Sequence, residues 1–538
     1  MAKMICHVHH GGGPSGVSTT TPPRCGSEIT YDGGTLPLNF SLEQKSGTFP
    51  VRHGFLLSSV SNETMEGNVV LFPFLAQGHM NPCLDLARLL SARYPQLTLT
   101  LVTTTGNLPH LRRVFPSHRL AHLPFHPADH GLPSDANTSF ALPAHLIVPF
   151  HRATRSLEHS FRRLLSDLST ASDGPPLLCL ITDMFLGWTV PVARSLGVFH
   201  AVLHPSGPFA MSIYNHFWSH VPHALSDADE FSVPGLPGVT VRRSQLSRNM
   251  LAATSPDDPN SIFVREQAEH CRRSDATLWN TADALEKPFL QAWAKSTGLP
   301  VFAVGPLFAA TPKPPAGRGI KDGCAADVAA GCLSWLDGHQ PGSVVYVSFG
   351  SQNRLPAMEA AALVAALEGQ RRPFLWAAPV ADQAPEGGAG EGMGLVVRGW
   401  VPQVEILGHA ATGAFVSHCG WNSSLESMRH GVPVVGWPLV GEQTCNAKLM
   451  AEELGVCVVV GSAAEAAAAV AEVMGEGERG REVRRKAREV AAEMESAVSE
   501  SREAKGASLG ALDEFVEMVI RRAAASPTKL GVHQINGQ

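Results

Sequence analysis

The sequence predicts an α/β protein of two Rossmann-like domains whose parallel sheets face each other across a cleft. Three observations carry that expectation. From Asn68 onward, short apolar runs of strand length alternate with stretches whose apolar residues recur at helical spacing. A Pro-, Gly- and Lys-rich stretch, AATPKPPAGRGIKDG at 309–323, interrupts the alternation. Beyond it the pattern restarts with SVVYVSFGS at 343–351 and continues for a similar length. Open sheets of this kind take ligands beyond the carboxyl ends of their strands.

The elements follow in order. Residues 1–64 include HHGGGPSGVSTTTPPRCGSEITYDGG and show no apolar period, so a disordered extension is expected, and a chain starting at Met65 is expected to fold and act like the full one. A first domain over 65–308 opens with the buried-strand run NVVLFPF at 68–74. Asn81 would cap, and Pro82 would open, a helix over 81–94. LTLTLVTTT (97–105), PLLCLITD (176–183), DATLWNT (275–281) and PVFAVGPL (300–307) continue the strand series. A linker over 309–325 leads to a second domain over 326–505. There SVVYVSFGS, PFLWAA, GLVVRGWV, GAFVSH and VPVVGWP read as strands, and AMEAAALVAALEG, SSLESMRHG and EQTCNAKLMAEELG as helices. A C-terminal helix over 506–524 is expected to pack back on the first domain, ahead of a frayed tail at 525–538.

Composition excludes several classes of function. The 538 residues are 44% hydrophobic and 17% charged, enough apolar material for more than one core. A net charge of −6 offers no basic surplus for nucleic acid or an anionic membrane. The 10 cysteines include no Cys-x-x-Cys pair, which argues against a zinc knuckle or a redox pair and for reduced thiols. No apolar run has the length of a membrane span. FLLSSV at 55–60 is too short, and too far from the N-terminus, to be a secretory core, so the expected location is cytoplasmic.

Chemistry concentrates in FVSHCGWNSSLES at 415–427. A strand ends at His418, Gly420 permits a tight turn, and Asn422 and Ser423 stand where a helix begins. Free backbone N–H groups and the positive dipole end make such a place an anion site, which suits a diphosphate. Ser423-x-x-Glu426 is equally a capping box that needs no ligand, and spacing alone leaves both readings open. In QGHMNP, His79 lies between a strand end and a helix, at the mouth of the first sheet.

The stretch WVPQVEILGHAATGAFVSHCGWNSSLESMRHGVPVVGWPLVGEQ, residues 400–443, closely resembles the signature of plant secondary-product glycosyltransferases. Weaker resemblance extends over roughly 66–520, through FPFLAQGHMNP, ITDMFLGW, FAVGPL and VVYVSFGS, and stops short of 1–64. The resemblance implies the two-domain GT-B fold and a UDP-sugar as co-substrate, with no cofactor and no metal. It implies that Trp400 stacks on the uracil and Gln403 hydrogen-bonds it. His418, Asn422 and Ser423, with Ser351 opposite, would hold the diphosphate, and Trp421 belongs to the same donor set. Glu426 would accept from the ribose, and Glu442 and Gln443 would bind the sugar hydroxyls. His79 would be the general base, oriented by Asp183, which lies 104 residues on.

Two departures from the family pattern stand out. The penultimate signature position, usually Asp, is Glu442. The loop where the family carries a sugar-contacting Thr or Ser reads His204-Pro205-Ser206, which makes Ser206 the candidate. Gln443 stands where the family's galactose users tend to carry His, and its amide can both donate and accept, so UDP-glucose is the expected donor. The chain thus reads as a monomeric, metal-independent, inverting glycosyltransferase acting on a small lipophilic alcohol, phenol or acid. Two alternatives are weaker. A nicotinamide oxidoreductase would need a G-x-G-x-x-G turn, which FPFLAQGHMNP lacks. An inert nucleotide-sugar-binding protein would have no use for an intact His79 and Asp183.

Overall fold

The structure is a computed structural model that describes residues 66–116, 118–140, 142–170, 174–310, 326–378, 393–501 and 504–525. The expected extension over 1–64, the linker from 311 to 325 and the tail from 526 onward lie outside the described residues.

The first sheet begins with β1 (Gly67–Phe72), β2 (Leu97–Thr104), β3 (Arg119–Leu123), β4 (Leu177–Asp183) and β5 (Phe199–His204). A separate antiparallel hairpin pairs β6 (Glu230–Ser232) with β7 (Thr240–Arg242). Strands β8 (Ala276–Trp279) and β9 (Val301–Ala303) complete the first sheet, in the order β3-β2-β1-β4-β5-β8-β9 with all neighbours parallel. The second sheet holds β10 (Val344–Ser348), β11 (Phe374–Ala378), β12 (Gly394–Arg398), β13 (Thr412–Ser417), β14 (Val434–Gly436) and β15 (Cys457–Val459). Its order is β12-β11-β10-β13-β14-β15, again all parallel. Every residue of β1, β4 and β10 is buried, as in a sheet covered on both faces.

In each sheet the strand order reverses once, between β1 and β4 in the first and between β10 and β13 in the second. These are topological switch points, where neighbouring loops diverge and leave a crevice beyond the strand ends. His79 follows β1 and Asp183 ends β4; Ser351 follows β10 and His418 follows β13.

The first helix differs from the sequence expectation. It spans Gln77–Arg93, with Ala76 as its extended N-cap, so it begins four residues before Asn81, and Pro82 lies inside it. The buried Phe74 and Leu75 make the turn after β1 short, and the helix starts as soon as that turn ends. Consequently His79 sits in the first helical turn and not in a loop.

The last helix, Ala507–Ala524, lies on the first sheet. Leu509, Leu512, Phe515, Val516 and Val519 share a buried cluster with Leu178, Phe199 and Phe302. Asp513 accepts from Arg93 Nε at 2.6 Å and from Tyr94. The seven cysteines among the described residues form no disulfide with one another, and all are buried. Among the described residues no helix is long and apolar enough to cross a membrane.

Candidate active site

The carboxyl ends of both sheets open on one cleft of about 2470 Å³, lined from both halves of the chain. A drug-sized ligand occupies ~300–1,000 Å³, so there is room for two molecules together.

On the first sheet, His79 Nδ1 lies 2.7 Å from Asp183 Oδ2. Asp183 is almost wholly buried and is held in place by Phe185 N, which donates to Oδ1 at 2.9 Å. With Nδ1 engaged, Nε2 is the nitrogen left for the cleft. Burial alone would lower the His79 pKa, but the charge and hydrogen bond of Asp183, with the Glu442 charge beyond, raise it above the ordinary value. Around the imidazole the wall is apolar. Phe185 lies 5.0 Å and Phe74 5.5 Å from the His79 ring, and His151 stacks on Phe185 at 4.7 Å. Burial and the nearby His79 charge push His151 down to about 3, so its ring stays neutral.

On the second sheet, the turn after β13 is tight enough to place Cys419 at φ 63°, a left-handed conformation that is costly for a non-glycine residue. The helix Trp421–Arg429 follows with Gly420 at its N-cap and no side-chain cap on its first amides. Ser423 is therefore the third helical residue and not the cap. Its Oγ accepts from Gln403 Nε2 at 3.0 Å, and the same amide reaches Glu426 Oε2 at 2.7 Å. The capping-box reading of Ser423-x-x-Glu426 fails for that reason. Tyr346 OH donates to Gln403 Oε1 at 2.9 Å, so one lone pair on that oxygen remains open.

His418 is clasped by two glycines. A Cβ at Gly350 would lie 2.6 Å, and one at Gly420 2.4 Å, from its Nε2. Burial lowers its pKa to about 4, so the ring is neutral, and Nδ1 has no partner among the described residues. Gly350→Ala is expected to raise the Kd for UDP about tenfold or more, because the new Cβ displaces His418 while the position also has φ +74°. Gly298→Ala, at φ +70° with open space around it, carries the strain alone. It should lower stability and leave UDP binding unchanged when both are measured by calorimetry.

All of the expected donor residues line the cleft. Trp400 and Ser351 are partly exposed there, as is Glu442, whose charge reaches His79. Two of the donor residues carry contacts that the sequence reading did not contain. Trp421 is 3% exposed, and its indole N–H donates to Asn280 O at 2.8 Å. That bond links the two halves, and the residue still lines the cleft. Gln443 Oε1 accepts from Leu439 N at 2.9 Å and Val440 N at 3.0 Å, so its amide faces the cleft as a donor only. In the 204–206 loop, His204 stacks flat on Trp279 at 3.8 Å, away from the cleft. Ser206 lines the cleft with a buried Oγ that has no partner among the described residues.

Sequence reasoning missed Asn280, Tyr346 and His151. Asn280 immediately follows a parallel strand, on the edge where ligands bind, and that position was the available signal. Tyr346 and His151 gave none, because each acts through a neighbour distant in sequence.

Comparison with known proteins agrees with this architecture. The family model for "UDP-glucoronosyl and UDP-glucosyl transferase" matches residues 330–478. Crocetin glucosyltransferase 3 of Crocus sativus is 38% identical over 407 residues, 72% of this chain and 85% of its own. UDP-glycosyltransferase 92A1 of Arabidopsis thaliana is 34% identical over 484 residues, 84% of this chain and 97% of its own. Among solved structures, a UGT transferase from Siraitia grosvenorii in complex with UDP superposes with a TM-score of 0.67 at 26% identity, over 85% of this chain and all of the other. Glycyrrhiza uralensis UGT73P12, complexed with glycyrrhetinic acid 3-O-monoglucuronide, gives 0.69 at 26% identity, over 85% and 96%. Two facing switch points, one with a histidine–aspartate pair and one with an uncapped helix start, thus recur in a chain similar along most of its length to such enzymes, and the protein belongs to the plant UDP-glycosyltransferases of the GT-B fold.

Proposed function

We propose that the enzyme moves glucose from UDP-glucose to a hydroxyl or carboxyl of a small lipophilic acceptor, with inversion at the anomeric carbon. The observation that carries this reading is the 2.7 Å His79–Asp183 pair set in an aromatic wall, across one cleft from the uncapped Trp421–Arg429 helix. For a hydroxyl acceptor His79 Nε2 takes the proton as the oxygen attacks the anomeric carbon from the face opposite the diphosphate; a carboxylate arrives ionised and attacks in the same way without a base. The bond from that carbon to the β-phosphate oxygen breaks, and UDP leaves with both electrons. Asp183 fixes the tautomer of His79 and stabilises the imidazolium.

The donor roles follow from the side chains that line the second-sheet wall of the cleft. The uracil lies against Trp400, and the open lone pair of Gln403 Oε1 accepts its ring N–H. His418, Asn422, Ser423 and Ser351, with the helix-start amides, meet the diphosphate and do the work of a metal ion there. Glu426 accepts from the ribose. Gln443 Nε2 donates to a sugar hydroxyl and Glu442 accepts from another. A glucuronate carboxylate would meet the like charge of Glu442, and an axial galactose hydroxyl would misalign with both groups. We expect UDP-glucose to exceed UDP-galactose and UDP-glucuronate in kcat/KM. The test is a matrix of these three donors against a panel of phenols and aromatic acids. Preference for either other donor overturns the donor choice, and absence of transfer to every acceptor overturns the catalytic reading.

A further inference from the structure

The helix that carries His79 contains a proline where an α-helix interior normally excludes one. Pro82 has no N–H, so the carbonyl of Gly78, four residues earlier, lacks its intrahelical donor, and the ring crowds that oxygen outward. The oxygen is nonetheless satisfied. Asn422 Nδ2, from the other half of the protein and 344 residues away, donates to Gly78 O at 2.9 Å. The amide of Asn422 is oriented in turn by Asn280, whose Nδ2 lies 3.5 Å from Asn422 Oδ1.

Asn280 is tied down through every polar group it has. Its N donates to His204 O at 3.0 Å, its Oδ1 accepts from Leu307 N at 3.0 Å, and its carbonyl accepts from Trp421 Nε1 at 2.8 Å. From the end of β8 it therefore holds two consecutive residues of the helix start on the second sheet. Gly78 is covalently next to His79. One chain of contacts then runs from the first sheet through Asn280 and Asn422 to the backbone of the base.

We propose that Pro82 and Asn280 are positioning residues, which lock the base-bearing turn to the diphosphate-binding turn so that His79 is aligned only when the two halves are docked. This rests on His79 acting as the base. Pro82 opens the acceptor and Asn280 selects the face of the Asn422 amide that fills it. Neither residue touches substrate.

The test separates alignment from folding. Pro82→Ala supplies an N–H that closes on Gly78 O inside the helix and competes with Asn422. The helix gains a hydrogen bond, so the melting temperature should hold or rise, whereas kcat should fall about 5–10-fold with the Kd for UDP within about twofold. Asn280→Asp keeps the acceptor for Leu307 N but replaces the amide donor with a second acceptor. That turns the Asn422 NH₂ toward residue 280 and away from Gly78, and kcat should fall by a similar factor. The double variant should be no slower than about the worse single one, because both break the same contact. A kcat unchanged in both variants overturns the proposal, as does a kcat that falls only in step with melting temperature or UDP affinity. If His79→Ala retains its rate, the base assignment fails. If His79→Ala is inactive and both variants keep full kcat, the lock alone fails.

Discussion

Replacing His79 with alanine is expected to slow glycosyl transfer by ~10²–10⁴-fold, the usual worth of a general base. That corresponds to about 3–5 kcal/mol of barrier. UDP affinity should barely change, because the donor groups stand on the second sheet. Asp183→Asn should cost a similar factor or less, since Nδ1 of His79 loses a charged partner 2.7 Å away but keeps an amide in its place. The double variant should cost far less than the product of the two, because the pair acts as one unit. The pH profile adds an independent readout. The folded environment raises the His79 pKa, so the acidic limb of kcat/KM in the wild type should lie above the ordinary histidine range. Removing the Asp183 charge should move that limb to lower pH. A folded, UDP-binding His79→Ala enzyme with a near-normal rate on a hydroxyl acceptor would falsify the mechanism.

The largest expected effect on stability belongs to Glu286. It lies at the irregular start of the Asp283–Thr297 helix (φ −138°, ψ 23°) and is fully buried. Its Oε1 accepts from Phe209 N at 3.0 Å, and its Oε2 accepts from Thr281 Oγ1 at 2.6 Å. Burial pushes the carboxyl up to about 7, and the two hydrogen bonds recover only part of the shift. Between the unfolded value near 4.5 and about 7, the native state keeps a proton that the unfolded chain has lost. Stability from this residue is therefore complete below the lower value, declines as pH rises through the window, and is lost above about 7. The shift is worth ~3 kcal/mol. Glu286→Gln keeps the acceptor for Phe209 and offers Thr281 a donor without any charge. Buried neutral histidines such as His200 and His204 impose an opposite slope of their own, so the difference between variant and wild type is the informative quantity. Urea midpoints at pH 5 and pH 8 should show the variant gaining on the wild type by up to ~3 kcal/mol at the higher pH. Parallel curves for the two proteins would exclude an ionising Glu286.

Legibility in the sequence followed burial and distance. Strands β1, β4 and β10 are continuous apolar runs because both faces are covered, and such runs can be read directly. Strand β3, Arg119–Leu123, gave no such signal. It is an edge strand, and an edge tolerates the exposed Arg119 and His122. Asn81 and Pro82 look like a helix start, but the short buried turn after β1 sets the true one. The pairing of His79 with Asp183 came from the family resemblance; Asp183 closes a legible strand, whereas His79 sits in the first turn of the helix that follows one. The partners of Gln443, Asn422 and Trp421 were not legible. Leu439 and Val440 meet the Gln443 oxygen only through a local turn, and the other two depend on how the halves dock, which no periodicity encodes.

The helix Ala507–Ala524 has a consequence for biosynthesis. It is the last element of the described chain, yet its apolar side completes the core of the first sheet. The ribosome therefore makes the first domain's strands more than 200 residues before the element that covers Leu178, Phe199 and Phe302. At ~5–20 residues per second, that face waits on the order of ten seconds or longer without its cover. The first domain is begun first and finished last, so N-to-C order of folding cannot hold for it. A stop codon near residue 505 would spare every group placed in the cleft above, and would still deny the His79 half its final packing.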